Sequence, residues 1–360
     1  MRVLYFGTYE RGYPRNSLVI DALRSLGAEV VERHVDIWSG REHKYDVGVA
    51  ALARVAKAEI KLATRLREPF DVVVVGYPGQ IDMPAARLVA RRKPIVFNPL
   101  VSFFDTLVED RRRFGPTSAA ARGLRFIDRS AFRLADIVVA DTAENGRFFA
   151  QLGGLPPDRV AICFLGADEA LFSRPWVPEE PFTALFVGKP APLHGVDVIL
   201  AAAEAAPDVR FRLVGSGQMD DVLAGAPANV EWIRWVEHEL LPSEYARAGC
   251  SLGIFGVSAK ARRVIPNKVF EALAQGVPVV TADTPASREL LEDGVNAVLT
   301  PPGDAPALAR AIRSLRDDSA AAQRIGAAGR TTFSERAGRS VLAAAWRDVV
   351  ERAVRRRVRA

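Results

Sequence analysis

Asp71-Val72-Val73-Val74-Val75-Gly76 sets four consecutive valines between an acidic residue and a glycine. A run that is apolar at every position, not at alternate ones, fits a strand covered on both faces, as in a parallel sheet. The same signature recurs to either side. Val3-Leu4-Tyr5-Phe6, Pro94-Ile95-Val96-Phe97 and Asp136-Ile137-Val138-Val139-Ala140 read as buried strands, and Glu29 to Val35 as another. Between them lie helical patterns over Ser17–Leu26 (ended by Gly27), Ala50–Leu66, Ala85–Arg91 and Ser118–Leu134. Alternation of strand and helix predicts a parallel sheet wrapped by helices.

The pattern stops between Gly166 and Phe182. Ser173-Arg174-Pro175-Trp176-Val177-Pro178-Glu179-Glu180-Pro181 has three prolines and no periodicity, and it reads as a linker. A second series follows, with strands at Thr183–Val187, Arg210–Val214, Val230–Ile233, Ser251–Phe255, Val277–Thr281 and Ala297–Leu299. Its helices include Val196–Ala206, Asn267–Gln275 and Ala305–Leu315. The expected organisation is α/β: a doubly wound domain over 1–168, a linker over 169–182, and a second doubly wound domain over 183–337. A final helix, within 338–360, is long enough to return to the first domain. Ligands of such sheets bind outside the carboxyl ends of the strands, and two such edges could face each other across a cleft.

The 360 residues are 49% apolar and 26% charged, the mix of a soluble globular protein. No apolar run approaches the ~20 residues of a membrane helix, and Met1 to Gly7 is too short and too soon polar for a signal peptide. The expected location is cytoplasmic. Two cysteines, Cys163 and Cys250, exclude a disulfide framework, and His34, His43, His194 and His238 are too scattered for a metal cluster. The net charge of +6 lies wholly in residues 1–165, which carry 25 Lys+Arg against 19 Asp+Glu. That excess suits an anionic membrane surface, a phosphorylated acceptor or nucleic acid, or it reflects an arginine-rich composition. No nucleic-acid-binding motif accompanies it, which disfavours that partner.

Two constellations carry chemistry. In Phe186-Val187-Gly188-Lys189-Pro190-Ala191-Pro192-Leu193-His194-Gly195-Val196 a strand ends at Gly188 and a helix begins after Gly195. Gly188 lets a ligand approach the backbone, Lys189 and His194 can bring positive charge, and the helix start supplies amides. That suits a diphosphate, although the spacing is neither of the common phosphate-loop motifs. In Ile265-Pro266-Asn267-Lys268-Val269-Phe270-Glu271-Ala272-Leu273-Ala274-Gln275-Gly276, Pro266 sits near the first helical position and Gly276 ends the helix. Lys268 and Glu271 are three apart and share a face. A lysine at the positive end of a helix is misplaced unless an anion binds there, and a nearby carboxylate could take ribose hydroxyls. An ordinary surface Lys–Glu pair is the alternative.

These stretches, with Glu289 to Ala297 and Pro301-Pro302-Gly303-Asp304, resemble the nucleotide-sugar domain of family 4 retaining glycosyltransferases. Within that family the chain is similar to a subgroup with a Pro-Asn-Lys-x-Phe-Glu motif. The resemblance is strongest over 183–335. In the first half it rests on architecture, including Asp141-Thr142 after a strand and Leu165-Gly166-Ala167-Asp168 before the linker.

The resemblance implies the GT-B fold, two facing Rossmann-like domains, and transfer of a sugar from a nucleoside diphosphate sugar to an acceptor hydroxyl with retention and no metal. It implies that Lys189, His194 and Lys268 contact the donor phosphates and that Glu271 holds the ribose. Gly188, Gly215, Gly217, Ile233, Trp235, Val236, Pro266 and Asn267 would complete the nucleotide pocket. On the first domain, Gly12, Arg11, Tyr13 and Arg15 form a loop that would meet the acceptor or the donor phosphate. Asp105 would orient the sugar, accept a proton, or simply cap a helix. The acceptor is lipid-linked, a glycan or a small molecule.

Three positions depart from the family pattern. Arg263 stands where the first glutamate of Glu-x7-Glu falls, and His194 replaces a lysine. Phe97 to Asp105 lacks the histidine often found after the fourth strand. A GT-B nucleotide-sugar 2-epimerase and a non-catalytic nucleotide-sugar-binding protein are therefore alternatives.

Overall fold

In the computed structural model, which describes residues 1–37, 49–64 and 68–359, the four valines form a central strand of a six-stranded parallel sheet. Its strands are β1 (Arg2–Gly7), β2 (Glu29–His34), β3 (Val72–Val75), β4 (Ile95–Phe97), β5 (Ile137–Ala140) and β6 (Val160–Ile162), in the order β2-β1-β3-β4-β5-β6. Val72 and Val74 pack into one apolar cluster with Val3, Tyr5 and Trp346. Val73 and Val75 pack into another with Leu4, Phe6 and Phe132. The side-chain alternation of a strand thus feeds two cores, which is why no position in the run is polar.

A second six-stranded parallel sheet contains β7 (Thr183–Val187), β8 (Arg210–Val214), β9 (Val230–Ile233), β10 (Cys250–Leu252), β11 (Val279–Ala282) and β12 (Val298–Thr300), in the order β12-β11-β10-β7-β8-β9. Strand order reverses between β7 and β10. In an open α/β sheet, that switch point at the carboxyl ends is where ligands bind.

The chain forms two compact units. One comprises Met1–Val108, Phe114–Phe164 and Leu342–Ala360, and the other Glu109–Arg113 and Leu165–Val341. The helix Arg339–Arg359 delivers Trp346, fully buried, to the core of the first unit.

Most elements fall where the sequence places them, with ends displaced by a few residues. The strand β6 was not anticipated: it has three residues, follows Pro156-Pro157, and its Ile162 is exposed. The proline-rich stretch is no free linker. The Trp176 indole donates to the Ala248 carbonyl at 2.7 Å, and the amides of Val177 and Glu179 donate to the carbonyls of Ala246 and Arg247. The helix expected over Ala50–Leu66 spans Val49–Ala63; Leu66 and His43 lie outside the described residues. Among the described residues no helix is long and apolar enough to cross a membrane, and no group of three His, Cys, Asp or Glu could hold a metal ion.

Candidate functional site

The second unit gathers the predicted phosphate-binding groups at its switch point. β7 ends at Val187, and Gly188 follows with φ of +144°. Gly215, after β8, has φ of +129°, and a Cβ there would lie 2.1 Å from the Gly188 carbonyl oxygen. Only glycine allows the two turns to close on each other in this way. The Gly215 amide donates to Ile233 at 2.8 Å, and the Trp232 indole donates to the Gly215 carbonyl at 2.8 Å. The Gly217 amide is held by Asp220 at 2.7 Å.

Lys268 lies in the first turn of the helix Asn267–Gln275, which begins after Pro266 with no side-chain cap. Pro266 is thus the capping residue and not the first helical one. Val269, Phe270 and Leu273 are buried and anchor the helix. The Lys268 side chain is buried too, and its Nζ has no hydrogen-bond partner. Nζ sits 3.4 Å from the centroid of the Phe186 ring, and it would come within 3.0 Å of a Cβ at Gly188. Burial pushes the ammonium well below its ordinary range, and Glu271 opposes that shift. The ring face offsets part of the desolvation cost. An anion at the Gly188 turn would offset more.

The phosphate-turn histidine behaves differently from expectation. The His194 Nδ1 accepts from the Ala191 amide at 3.1 Å, and its ring meets Phe186 edge-on with centroids 5.5 Å apart. Burial holds this imidazole well below its usual pKa, and the charges of Lys268 and Lys260 push it further down. His194 is therefore neutral near pH 7. It brings no positive charge to the turn, and a hydrogen bond with the Lys189 backbone opposes the downward shift. Lys189 is exposed at the turn. No side chain caps the helix Val196–Ala205 beyond Gly195, so its first-turn amides have no side-chain acceptor.

Glu271 is buried one turn along from Lys268, and its Oε2 accepts from the Tyr245 hydroxyl at 2.9 Å. Burial raises this carboxyl, while Tyr245, His238 and Lys268 pull it back. The bond orients the carboxylate and leaves Oε1 for a second donor. Arg263 lies 3.5 Å from Glu109. Trp235 is 67% exposed, with its indole bonded to Glu237, and Val236 is half-buried.

In the first unit the predicted residues have partners within the unit. Arg15 is buried: Nε donates to Asn98 at 2.8 Å, Nη1 donates to the carbonyls of Cys163 at 3.0 Å and Phe164 at 3.1 Å, and Nη2 is buried without a hydrogen-bond partner. Its guanidinium also stands 5.7 Å from the Trp346 ring. Arg11 pairs with Glu32 at 2.9 Å, Tyr13 packs on Tyr77 with centroids 4.8 Å apart, and Gly12 is exposed. Asp105 is buried at the start of the short π-helical segment Asp105–Asp110, where its amide donates to Ser102 Oγ at 3.0 Å. The cap is thus Ser102 and not Asp105.

Three residues were missed. Tyr245 has no motif around it, since its partner lies 26 positions away. Lys260 lies in the turn beyond β10, buried, and its charge helps to lower the His194 imidazole. Asp128, on the helix Ala119–Leu134, accepts from Ser102 Oγ and from the amides of Phe103 and Phe104. It was hidden within an arginine-rich stretch.

Residues 181–318 match the family model described as "Glycosyl transferases group 1". D-inositol 3-phosphate glycosyltransferase 1 of Catenulispora acidiphila is 28% identical over 81% of this chain and 73% of its own. Phosphatidyl-myo-inositol mannosyltransferase of Mycobacterium leprae is 32% identical over 54% and 52%. D-inositol 3-phosphate glycosyltransferase of Thermomonospora curvata is 29% identical over 54% and 52%. The chain spans about half the length of the last two relatives. Among solved structures, sucrose-phosphate synthase (tll1590) of Thermosynechococcus elongatus superposes with a TM-score of 0.72 at 15% identity, covering 96% of both chains. Anabaena Alr3699/HepE in complex with UDP-glucose superposes with a TM-score of 0.68 at 17% identity, covering 98% of this chain and 99% of its own. The chain has the two-domain α/β GT-B fold, and its residues 181–318 match the group 1 glycosyl transferases.

Proposed function

We propose that this chain is a retaining glycosyltransferase that moves a sugar from a nucleoside diphosphate donor to an acceptor hydroxyl without a catalytic metal. The observation that carries this reading is Lys268: an ammonium group buried without a hydrogen-bond partner, on an uncapped helix start, against the Gly188 turn. The family match over the same unit and the nucleotide sugar bound by HepE support it. The names of the relatives make inositol phosphate and phosphatidylinositol the first acceptors to try.

In the proposed step the bond from the anomeric carbon to the leaving diphosphate oxygen breaks. The acceptor oxygen bonds to the same carbon from the same face, and its proton passes to the departing phosphate. Negative charge grows on that phosphate, and charges already in place stabilise it without reorganisation. Lys268, Lys189 and the first-turn amides of Val196–Ala205 fill that role, and the neutral His194 packs beside them. Glu271, oriented by Tyr245, takes the ribose hydroxyls. The exposed arginines of the helix Ala119–Leu134 would let the enzyme rest peripherally on an anionic membrane, at the cytoplasmic face.

Calorimetry with uridine and guanosine diphosphates tests the donor site. Glu271→Ala removes a charge-assisted hydrogen bond worth ~1.5–3 kcal/mol, so binding weakens by about 10- to 150-fold with circular dichroism unchanged. Unchanged affinity would overturn the assignment. Turnover with a donor panel should survive a chelator, and nuclear magnetic resonance of the product should show the donor's anomeric configuration. Inversion would overturn the proposed stereochemistry alone.

A further inference from the structure

At the amino ends of β5 and β6 in the first unit, opposite the carboxyl edge where such sheets bind their substrates, lies a cavity of about 350 Å³. Arg87, Arg133, Arg159, Arg356 and Arg357 line it, with Asp136 as the one carboxylate among the lining residues. Four elements contribute these arginines. Arg87 comes from the helix Met83–Ala90, Arg133 from the last turn of Ala119–Leu134, and Arg159 from the short 3-10 turn Pro157–Arg159. Arg356 and Arg357 come from the end of Arg339–Arg359.

Neutral carbonyls hold the guanidiniums in place. Arg133 donates to Gly153 at 2.9 Å, Arg159 to Arg133 at 3.0 Å and to Ala135, and Arg87 to Lys93 at 3.1 Å. Arg357 donates to Arg92 at 3.2 Å. These bonds fix direction and cancel no charge. Asp136 stands 3.5 Å from Arg357 and 3.9 Å from Arg87, and Asp158 pairs with Arg356. Five positive groups therefore converge on two carboxylates. Capping a helix carboxyl end needs about one cation, so capping does not explain the cluster. The repulsion is felt: burial, then Arg357, lowers the Arg87 guanidinium, and burial, then Arg356, lowers that of Arg159.

We propose that this cavity is a second anion site, distinct from the donor site, that binds a phosphate or diphosphate group by paired guanidinium hydrogen bonds. Planar guanidiniums in fixed orientation match phosphoryl oxygens two at a time. The group would reach it either on a soluble phosphorylated compound or as a phospholipid headgroup. Bound there, it would tie the end of the last helix to the sheet and stabilise the first unit.

Inorganic pyrophosphate titrated by calorimetry, at ionic strength matched with chloride, is the first arm. Arg87→Gln and Arg357→Ser, on different elements, are each compared with wild type after a circular dichroism check. The donor site is silenced in all samples by Lys268→Met. The proposal expects one binding event that each variant weakens at least about tenfold. The second arm is co-sedimentation with phosphatidylcholine vesicles with and without phosphatidate. Pyrophosphate binding lost in the variants identifies a soluble phosphate. No pyrophosphate binding, with phosphatidate-dependent sedimentation lost in the variants, identifies a headgroup. Binding of neither probe, or binding that neither variant changes, overturns the proposal.

Discussion

Lys268 is where the candidate site departs furthest from an ordinary protein surface. An ammonium in apolar surroundings favours its neutral form, and a diphosphate beside it favours the charged one. Burial holds its pKa below the ordinary lysine value, and a bound diphosphate should raise it, so any proton that Lys268 exchanges as the nucleotide enters is taken up and not released. The sign is fixed: affinity for a nucleoside diphosphate falls as pH rises from the lowered pKa towards the restored one. Calorimetry in two buffers of different ionisation enthalpy reads the uptake directly, and Lys268→Met should abolish the part due to this residue. An uptake that Lys268→Met leaves unchanged would assign the proton elsewhere. At this scale the sequence was informative for half of the site. Lys268 and Glu271 were legible because both sit in one helix, where spacing fixes their common face. Arg15 was not, because its acceptors at Cys163 and Phe164 are 148 and 149 positions away. Nothing local distinguishes an arginine that reaches a ligand from one that turns inward to carbonyls.

The helix Ala119–Leu134 shows the same division at the level of an element. Its start was legible in Ser118, whose hydroxyl accepts from the Ala121 amide at 3.1 Å. Arg122, Arg125, Arg129 and Arg133, at spacings of three, four and four, form an exposed stripe on this helix, and Phe126 stands 71% exposed beside it. Arg125 nevertheless stacks on Phe104 at 4.2 Å and Arg133 bonds to Gly153, which leaves Arg122 and Arg129 with Phe126 as the group to test for the proposed membrane contact. Each basic residue near an anionic surface is worth ~1 kcal/mol, so Arg122→Ser with Arg129→Ser should cut vesicle binding about 30-fold at low salt. Co-sedimentation with anionic and neutral vesicles checks this, and equal binding to both would remove the membrane from the proposal. The inward face was illegible for a different reason. Burial pushes the Asp128 carboxyl up to about 6 even though several donors pull it down, and such a residue looks like any surface aspartate until its partners at 102–104 are seen. The edge strand β6 escaped because three residues carry too little pattern to register.

At the scale of the whole molecule, the two compact units are expected to unfold as separate transitions. Trp346 is the largest fully buried side chain, and it plugs the first unit alone. Trp346→Ala should cost that unit ~3–5 kcal/mol and leave the second unchanged. Denaturant unfolding followed by proteolysis, with fragments assigned to each unit, reads the two separately. Equal shifts in both would mean that they unfold together. The paired sheets were legible from the strand–helix alternation, whereas the cavity between four distant elements was not, since no segment holds more than two of its arginines. The excursion of the chain through the second unit before the last helix completes the first also orders events on the ribosome. Residues 165–341 are synthesised between the first unit's sheet and the helix that seals it. At about 5–20 residues per second that interval lasts roughly 10–40 s. The nascent amino-terminal half then waits with the cluster of Val3, Tyr5 and Val72 only partly covered, by the helix Pro14–Ser25, while the later half is already free to fold. A helper chaperone, or slow aggregation in its absence, would act on this waiting half and not on the finished protein.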